Sequence, residues 1–321
     1  DGPGSLQILA QTAWPILRLM VLITLGLVVG QVIEAAGWTR KLSFLAEPLF
    51  RFGNLGSRCS AAFTTAFFSG VAANAILYDH YKEGRIEKRH LFLTNVVNQL
   101  PAFFLHLPTT FFIVIPLTRW AGALYFLLTF LAVLLRTAIV LLYGHLKARP
   151  PVEGGAEDFP PQETAAGRMR MSEVAAAVRR RLPSRVAGIA VWVVPVYIAV
   201  HLLNAMGLFA ALRDAMAGMA VGALVPVESL SVVILSFAAE FTSGFAAAGA
   251  LMDAGVLTVK QTVLALLMGN VLAFPVRALR HQLPRYVGIF TPKLGTQLLL
   301  AGQGLRLASL VLVGAAYALV G

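Results

Sequence analysis

The feature that most constrains this chain is a set of long apolar stretches almost free of charge. Ala121–Tyr143 and Gln297–Val320 each carry one charged residue, Arg136 and Arg306 respectively. A helix crosses a hydrocarbon layer of about 30 Å with about 20 apolar residues, and both stretches reach that length. Neither alternates with period two, as the strands of a membrane barrel would. The whole chain agrees: 58% of its residues are hydrophobic and 13% charged, with a mean hydropathy of +0.77. Soluble domains carry about 25% charged residues. The sequence therefore reads as an all-α polytopic membrane protein.

The formal net charge is +11, but the Lys and Arg residues sit in loops between apolar segments rather than on one face of a soluble domain. That pattern fixes orientation in a bilayer and points away from nucleic acid. Cys59 is the only cysteine, which leaves no disulfide framework and no thiolate metal cage. Asp1-Gly-Pro-Gly-Ser5 reads as a cloning scar.

The chain matches itself at four landmarks in the same order. Gln31-Val-Ile-Glu-Ala-Ala-Gly37 aligns with His201-Leu-Leu-Asn-Ala-Met-Gly207, and Phe68-Ser-Gly70 with Thr242-Ser-Gly244. Leu107-Pro108 followed by Pro116 aligns with Leu283-Pro284 followed by Pro292, and Leu135-Arg136 with Leu305-Arg306. The duplication divides the chain into a first repeat (6–146), a basic linker (147–183) and a second repeat (184–321). The linker is rich in Pro, Gly, Glu and Arg, and a short helix with Ser172 as N-cap is expected near 171–180. Each repeat has the same parts. A long apolar helix (8–36; 186–206) precedes a short amphipathic piece (38–53; 208–222). A small-residue-rich segment (57–80; 226–254), a polar helix broken by Pro (88–115; 258–290) and an apolar helix with one Arg (120–145; 294–320) follow.

Basic residues choose between two topologies. With the Arg-rich linker inside, placing 38–58, 79–90 and 276–293 inside as well gathers most Lys and Arg on one face. That requires 57–80 and 226–254 to enter and leave on one side, as re-entrant hairpins. The result is two inverted repeats, each with three spanning helices, an amphipathic interfacial helix and a re-entrant hairpin. Both termini lie outside and the linker lies in the cytoplasm, in a cytoplasmic (inner) membrane. The competing topology has four crossings per half and splits the basic loops across the two faces. The small residues of Ala61–Gly70 and Ala238–Ala248 suit close packing of hairpin arms; a spanning helix with a small-residue face is the alternative.

These parts in this order resemble the nucleoside-recognition (gate) family, which includes spore maturation membrane proteins and the gate regions of ferrous-iron transporters. They are distantly similar to the concentrative nucleoside transporter fold. Gly70-Val-Ala-Ala-Asn-Ala-Ile76 is the nearest local match, to the Gly-rich stretch of the iron-transporter gates. Val71 stands where those gates carry a cysteine, which points away from iron. The resemblance implies an interfacial helix, a re-entrant hairpin and an unwound helix in each half.

Polar groups in lipid are costly and mark candidate sites. Asn95, Asn98 and Gln99 precede Pro101, and Asn270 precedes Pro275. A proline removes a backbone donor and frees a carbonyl one turn earlier, so amides and carbonyls at both breaks can hold a solute, or merely bond one another. Ser69, Gly70 and Asn74 at the first hairpin tip and Glu240, Thr242, Ser243 and Gly244 at the second complete the candidate substrate-binding set. Glu240 could take a proton or cation, bond the solute, or pair with Arg136 or Arg306. Those two arginines occupy equivalent repeat positions; capping hairpin carbonyls is the first reading and contact with an anion the second. His106, His201 and His281 read as satisfied interfacial side chains, and Gly302-Gln-Gly304 as a packing feature. No catalytic, metal or cofactor motif is present. The expected function is secondary transport of a small polar solute, not enzymatic. The alternatives are an ion-conducting gate or a non-transporting assembly or maturation factor. The implied partners are the bilayer, a solute, a coupling ion and a second copy in a homo-oligomer.

Overall fold

The computed structural model describes residues 5–35, 38–148, 171–208, 211, 228–238 and 241–320. Among them every regular element is helical. Helix α1 (Ser5–Ala35) is followed by a short 3₁₀ helix (Trp38–Leu45), α2 (Ala46–Phe52), α3 (Gly56–Ala66), α4 (Gly70–Lys82), α5 (Lys88–Val97) and α6 (Gln99–Lys147). Helix α7 (Met171–Ala205), α8 (Ser229–Ala238), α9 (Phe241–Asp253) and α10 (Val259–Arg277) follow, then a π-helical segment (Ala278–Gln282), α11 (Leu283–Ile289) and α12 (Pro292–Val320). Among the described residues, five helical stretches are long and apolar enough to cross a membrane: 13–33, 88–147, 178–205, 259–289 and 292–320.

The stretch 88–147 is 60 residues long and would reach about 90 Å if straight. It does not run straight. Arg119 has φ 50° and ψ −126° inside α6, and the helix reverses there. The rings of Phe103 and Phe130 are 5.5 Å apart, a separation possible only if the arms on either side of Arg119 lie antiparallel.

Close packing relies on small residues. Gly26 and Gly30 on α1, one turn apart, face Phe112 and the Pro108–Thr109 backbone of α6. A Cβ at Gly26 would sit 2.7 Å from that of Phe112, so the pair lets two helices approach as a small-xxx-small motif does. The opposite face of α1 shows Leu17, Val21, Leu25 and Val29, all exposed, while Leu19, Ile23 and Leu27 are buried. Apolar side chains on both faces of one helix make sense when the outer face meets lipid rather than water.

Two buried clusters form, each drawing on both halves of the chain. Phe50, Phe63, Phe67, Leu77 and Leu91 centre one around α2–α5. The other joins α1, α6 and α7 to α9 and α10, where the run Phe245–Leu251 is almost wholly buried. Helices α3 and α4, joined at 67–69, leave and return to one end of the bundle, where Arg58 Nη1 donates to the Arg85 carbonyl at 3.2 Å. The same end holds Asn54 Nδ2 bonded to the His145 carbonyl at 3.1 Å, Arg89 bonded to the Lys147 carbonyl, and Lys88 Nζ bonded to Gln297 Oε1 at 3.0 Å. The other end holds Arg119 against Asp253 at 2.8 Å and Lys260 Nζ on the Ala318 carbonyl at 3.0 Å.

Two sequence expectations change. The linker helix expected near 171–180 and the first apolar helix of the second half are one continuous helix, α7, which contains Pro183 and Pro195. Ser172 therefore lies inside a helix and not at its N-cap, because α7 begins at Met171. The second amphipathic piece (208–222), residues 149–170 of the 147–183 linker, the scar and Glu240 fall largely or wholly outside the described residues.

Candidate functional site

Two breaks in helices meet between the two clusters. At the first, α5 ends at Val97 and α6 starts at Gln99, with Asn98 in the joint. At the second, α10 runs past Pro275 into the π-helical segment and then α11. A π turn is a wider, less stable arrangement than an α turn and is frequent at functional sites. The start of α10 is fixed by a capping box, Thr258 with Gln261, so the irregularity is confined to its far end.

Between the breaks lies a cavity of about 600 Å³. Gly70 and Asn74 reach it from α4, Asn95 from α5, and Asn98 and Gln99 from the first break. Asn270 and Arg277 come from α10, and Gln282 and Tyr286 from the second break. Arg136 comes from the second arm of α6, and Gln303 and Arg306 from α12. Phe103, Tyr125, Phe126 and Phe274 supply aromatic wall, and His106 also lines it.

The polar groups form short chains that stop before they are satisfied. Asn95 Nδ2 donates to Asn74 Oδ1 at 2.9 Å, and Tyr286 OH donates to Asn95 Oδ1 at 3.3 Å. Asn270 Nδ2 donates to Tyr125 OH at 2.6 Å. Gln99 Nε2 reaches the Gly302 carbonyl at 3.4 Å, and Gln303 Nε2 reaches Gln282 Oε1 at 3.1 Å. Yet Asn98 Nδ2 and Oδ1, Gln99 Oε1, Asn270 Oδ1, Gln303 Oε1, Arg136 Nε and Arg306 Nε have no hydrogen-bond partner among the described residues. Buried polar atoms are seldom left unpaired, and leaving one so costs about 1–3 kcal/mol. A cluster of them around one cavity is the arrangement expected of a polar ligand site.

The sequence candidates divide. Gly70, Asn74, Asn95, Asn98, Gln99, Asn270, Arg136 and Arg306 converge on the cavity. Ser69 instead caps α4, its Oγ accepting from the Ala72 N–H at 3.2 Å. Thr242, Ser243 and Gly244 are packed within α9, where Ser243 Oγ donates to the Leu235 carbonyl at 3.0 Å and ties the two arms together. They do not line the cavity. Among the described residues Arg136 Nη1 donates to Ser309 Oγ at 3.4 Å, and Arg306 stacks 3.2 Å over the Phe274 ring.

Sequence reasoning missed Tyr125, Tyr286, Gln282 and Gln303. Tyr125 sits in apolar periodicity indistinguishable from core, and Tyr286 in the basic run after Arg280 that reads as a loop. Gln303 was visible as the polar centre of Gly302-Gln-Gly304, and Gln282 as the polar neighbour of Leu283-Pro284. Glu228, 3% exposed just before α8, is a buried carboxylate that the sequence reading passed over.

Three uncharacterized proteins of Methanocaldococcus jannaschii are similar to this chain along most of its length. One is 25% identical over 288 residues, covering 89% of each chain. A second is 23% identical over 300 residues, covering 92% of this chain and 91% of its own. The third is 20% identical over 285 residues, covering 85% and 88%. No family model matches the chain, and no solved structure gives a significant match.

Proposed function

We propose that this chain is a secondary transporter that moves a small polar solute across the cytoplasmic membrane by alternating access between two inverted halves. The observation that carries the reading is the cavity between the two helix breaks, with its ring of unsatisfied amides and guanidiniums. Broken helices facing each other at mid-membrane, with freed backbone and polar side chains, are how many secondary transporters hold their cargo.

The hairpins support the inverted arrangement. Helices α3 and α4 open at the end where Arg58 meets Arg85. Helix α9 ends at Asp253, at the opposite end beside Arg119. Set in a bilayer, such pairs would be re-entrant from opposite faces, and Gly70 at the first tip lines the cavity, a place where non-helical backbone at membrane depth is tolerated. The end that gathers Arg58, Arg85, Lys88, Arg89 and Lys147 is then cytoplasmic. The resemblance to nucleoside-recognition gate proteins fits this plan.

The test is uptake by proteoliposomes offered a mixed small-molecule extract, with their contents read by mass spectrometry. Transport predicts accumulation of a particular solute that saturates and shows counterflow. It also predicts loss of that uptake in the Asn98→Ala, Asn270→Ala double variant. Non-saturating flux would instead mark a channel, and no flux a non-transporting assembly factor. Uptake that survived the double variant would dismiss the cavity as the solute site.

A further inference from the structure

We propose that the solute is a small organic anion whose charged group lies between the guanidiniums of Arg136 and Arg306, a refinement that rests on the cavity being the solute site. Guanidinium stays charged in any ordinary protein environment, so both side chains bring a fixed positive charge to the cavity wall. Arg136 is 3% exposed, bonds the neutral Ser309 hydroxyl at a long 3.4 Å, and leaves Nε without a partner. Ser309 Oγ in turn donates to the Arg306 backbone carbonyl at 2.9 Å, so Arg136 meets α12 one turn beyond Arg306, and both side chains line the same cavity.

Arg306 has its face occupied and its edge unused. Its guanidinium lies 3.2 Å over the Phe274 ring, and Nε is without a partner. A stacked guanidinium keeps its N–H donors in its own plane, where they match the paired oxygens of a carboxylate or phosphate. Arg277 adds a third positive group to the lining, and among the described residues no Asp or Glu lines the cavity. The described ion pairs, Lys82–Asp79, Arg85–Glu83 and Arg119–Asp253, all lie elsewhere.

Like charges in a poorly polarisable interior repel strongly, and an anion between them removes that cost. A cation would add to it. A neutral solute would leave both guanidiniums unpaired. The rest of the solute faces the unpartnered amide of Asn98 and the Phe274 and Tyr125 rings, which suits a planar body with its own donors and acceptors.

The test uses the full chain in neutral detergent and matched probes: orotate against uracil, uridine monophosphate against uridine, and inorganic phosphate alone. Equilibrium binding is measured by calorimetry and by thermal shift. The expected result is that an anionic member binds and its neutral partner is weaker by about tenfold or more. Arg136→Gln and Arg306→Gln should abolish the difference, Arg136→Lys and Arg306→Lys should keep part of it, and Arg280→Gln, which lies outside the cavity lining, should leave it intact. Ligand-free Arg136→Gln should melt no lower than the parent, since it loses a repelled charge. Neutral partners binding as well, phosphate binding as tightly as the organic anions, or no anion shifting the melting of the parent would each overturn the proposal. So would binding that survived both Gln variants. Because binding needs no flux, a chain that binds anions but moves none would contradict transport and leave this assignment standing.

Discussion

Arg119 and Asp253 form an ion pair 2.8 Å apart, joining the reversal of α6 to the last residue of α9. Asp253 also accepts a 2.6 Å bond from Tyr197 OH on α7. Three elements far apart in sequence are thus pinned at the end of the bundle opposite Arg58 and Arg85. Arg119 is a non-glycine residue at φ 50°, a backbone state that L residues seldom adopt, so the tie holds a turn that the local chain would not choose.

The Arg119 side chain is 71% exposed, so the pair contributes only about 1 kcal/mol or less to stability. Its consequence is positional. Asp253→Asn and Arg119→Gln, singly and together, should show a coupling of about 1 kcal/mol or less in a double-mutant cycle of chemical unfolding. The Asp253→Asn chain should also label faster at a cavity cysteine from the Arg119 face. An unchanged labelling rate would show that the tie does not restrain that end.

Gly249 packs against the Leu117 carbonyl so closely that an added Cβ has no room, whereas a Cβ at Gly70 meets nothing within 4 Å. Gly249→Ala should therefore cost about 1–3 kcal/mol, as overpacking does, and lower the melting temperature in detergent. Gly70→Ala should change it little. Equal melting of the two variants would mean that α9 and α6 are not in close backbone contact.

His80, in the last turn of α4 and outside the long apolar stretches, is held below the ordinary histidine range by burial first and then by Arg85 and Arg58; Glu83 and Asp79 act in the opposite sense. The unfolded chain then binds a proton more readily than the folded one. The stability this gives is complete above the unfolded value of about 6.5 and lost as pH falls through the lower folded value. Melting temperature should drop between about pH 7 and about pH 5, and His80→Gln should flatten that slope. An identical slope in the variant would assign the effect to other groups.

Much of this arrangement was legible in the residues. The order of parts was visible because apolar runs, Leu-Pro pairs and a lone arginine recur in both halves. Asn95, Asn98, Gln99 and Asn270 stood out because amides next to prolines are conspicuous in apolar helices. The reversal at Arg119 was not legible as a backbone feature, since nothing in Leu117-Thr-Arg-Trp120 marks a positive φ. Ser69 was ambiguous for a related reason: a Ser at a turn serves a helix cap as readily as a solute, and Ser69 caps α4. Tyr125 was hidden because ring periodicity is the same for a core and for a cavity wall, and Tyr286 because the basic run before it reads as a loop.

Inverted halves fix which loops share a face. With Cys59 changed to Ala, single cysteines at Glu83 and at Gly255 should react with an impermeant maleimide added from opposite sides of the membrane. Glu83 should share a side with Lys147. Labelling of 83 and 255 from one side would support parallel halves with four crossings each.

The central claim is that the cavity opens alternately to each face, and Gly70 is the position to test it, because it lines the cavity and has open space for a side chain. In the Cys59→Ala chain carrying Gly70→Cys, reconstituted in liposomes, an impermeant thiol reagent applied to either face should modify the cysteine. Trapping one end shut by a cross-link between cysteines at Arg119 and Asp253 should abolish modification from that face alone. Modification from one face only, with or without the cross-link, would contradict the account.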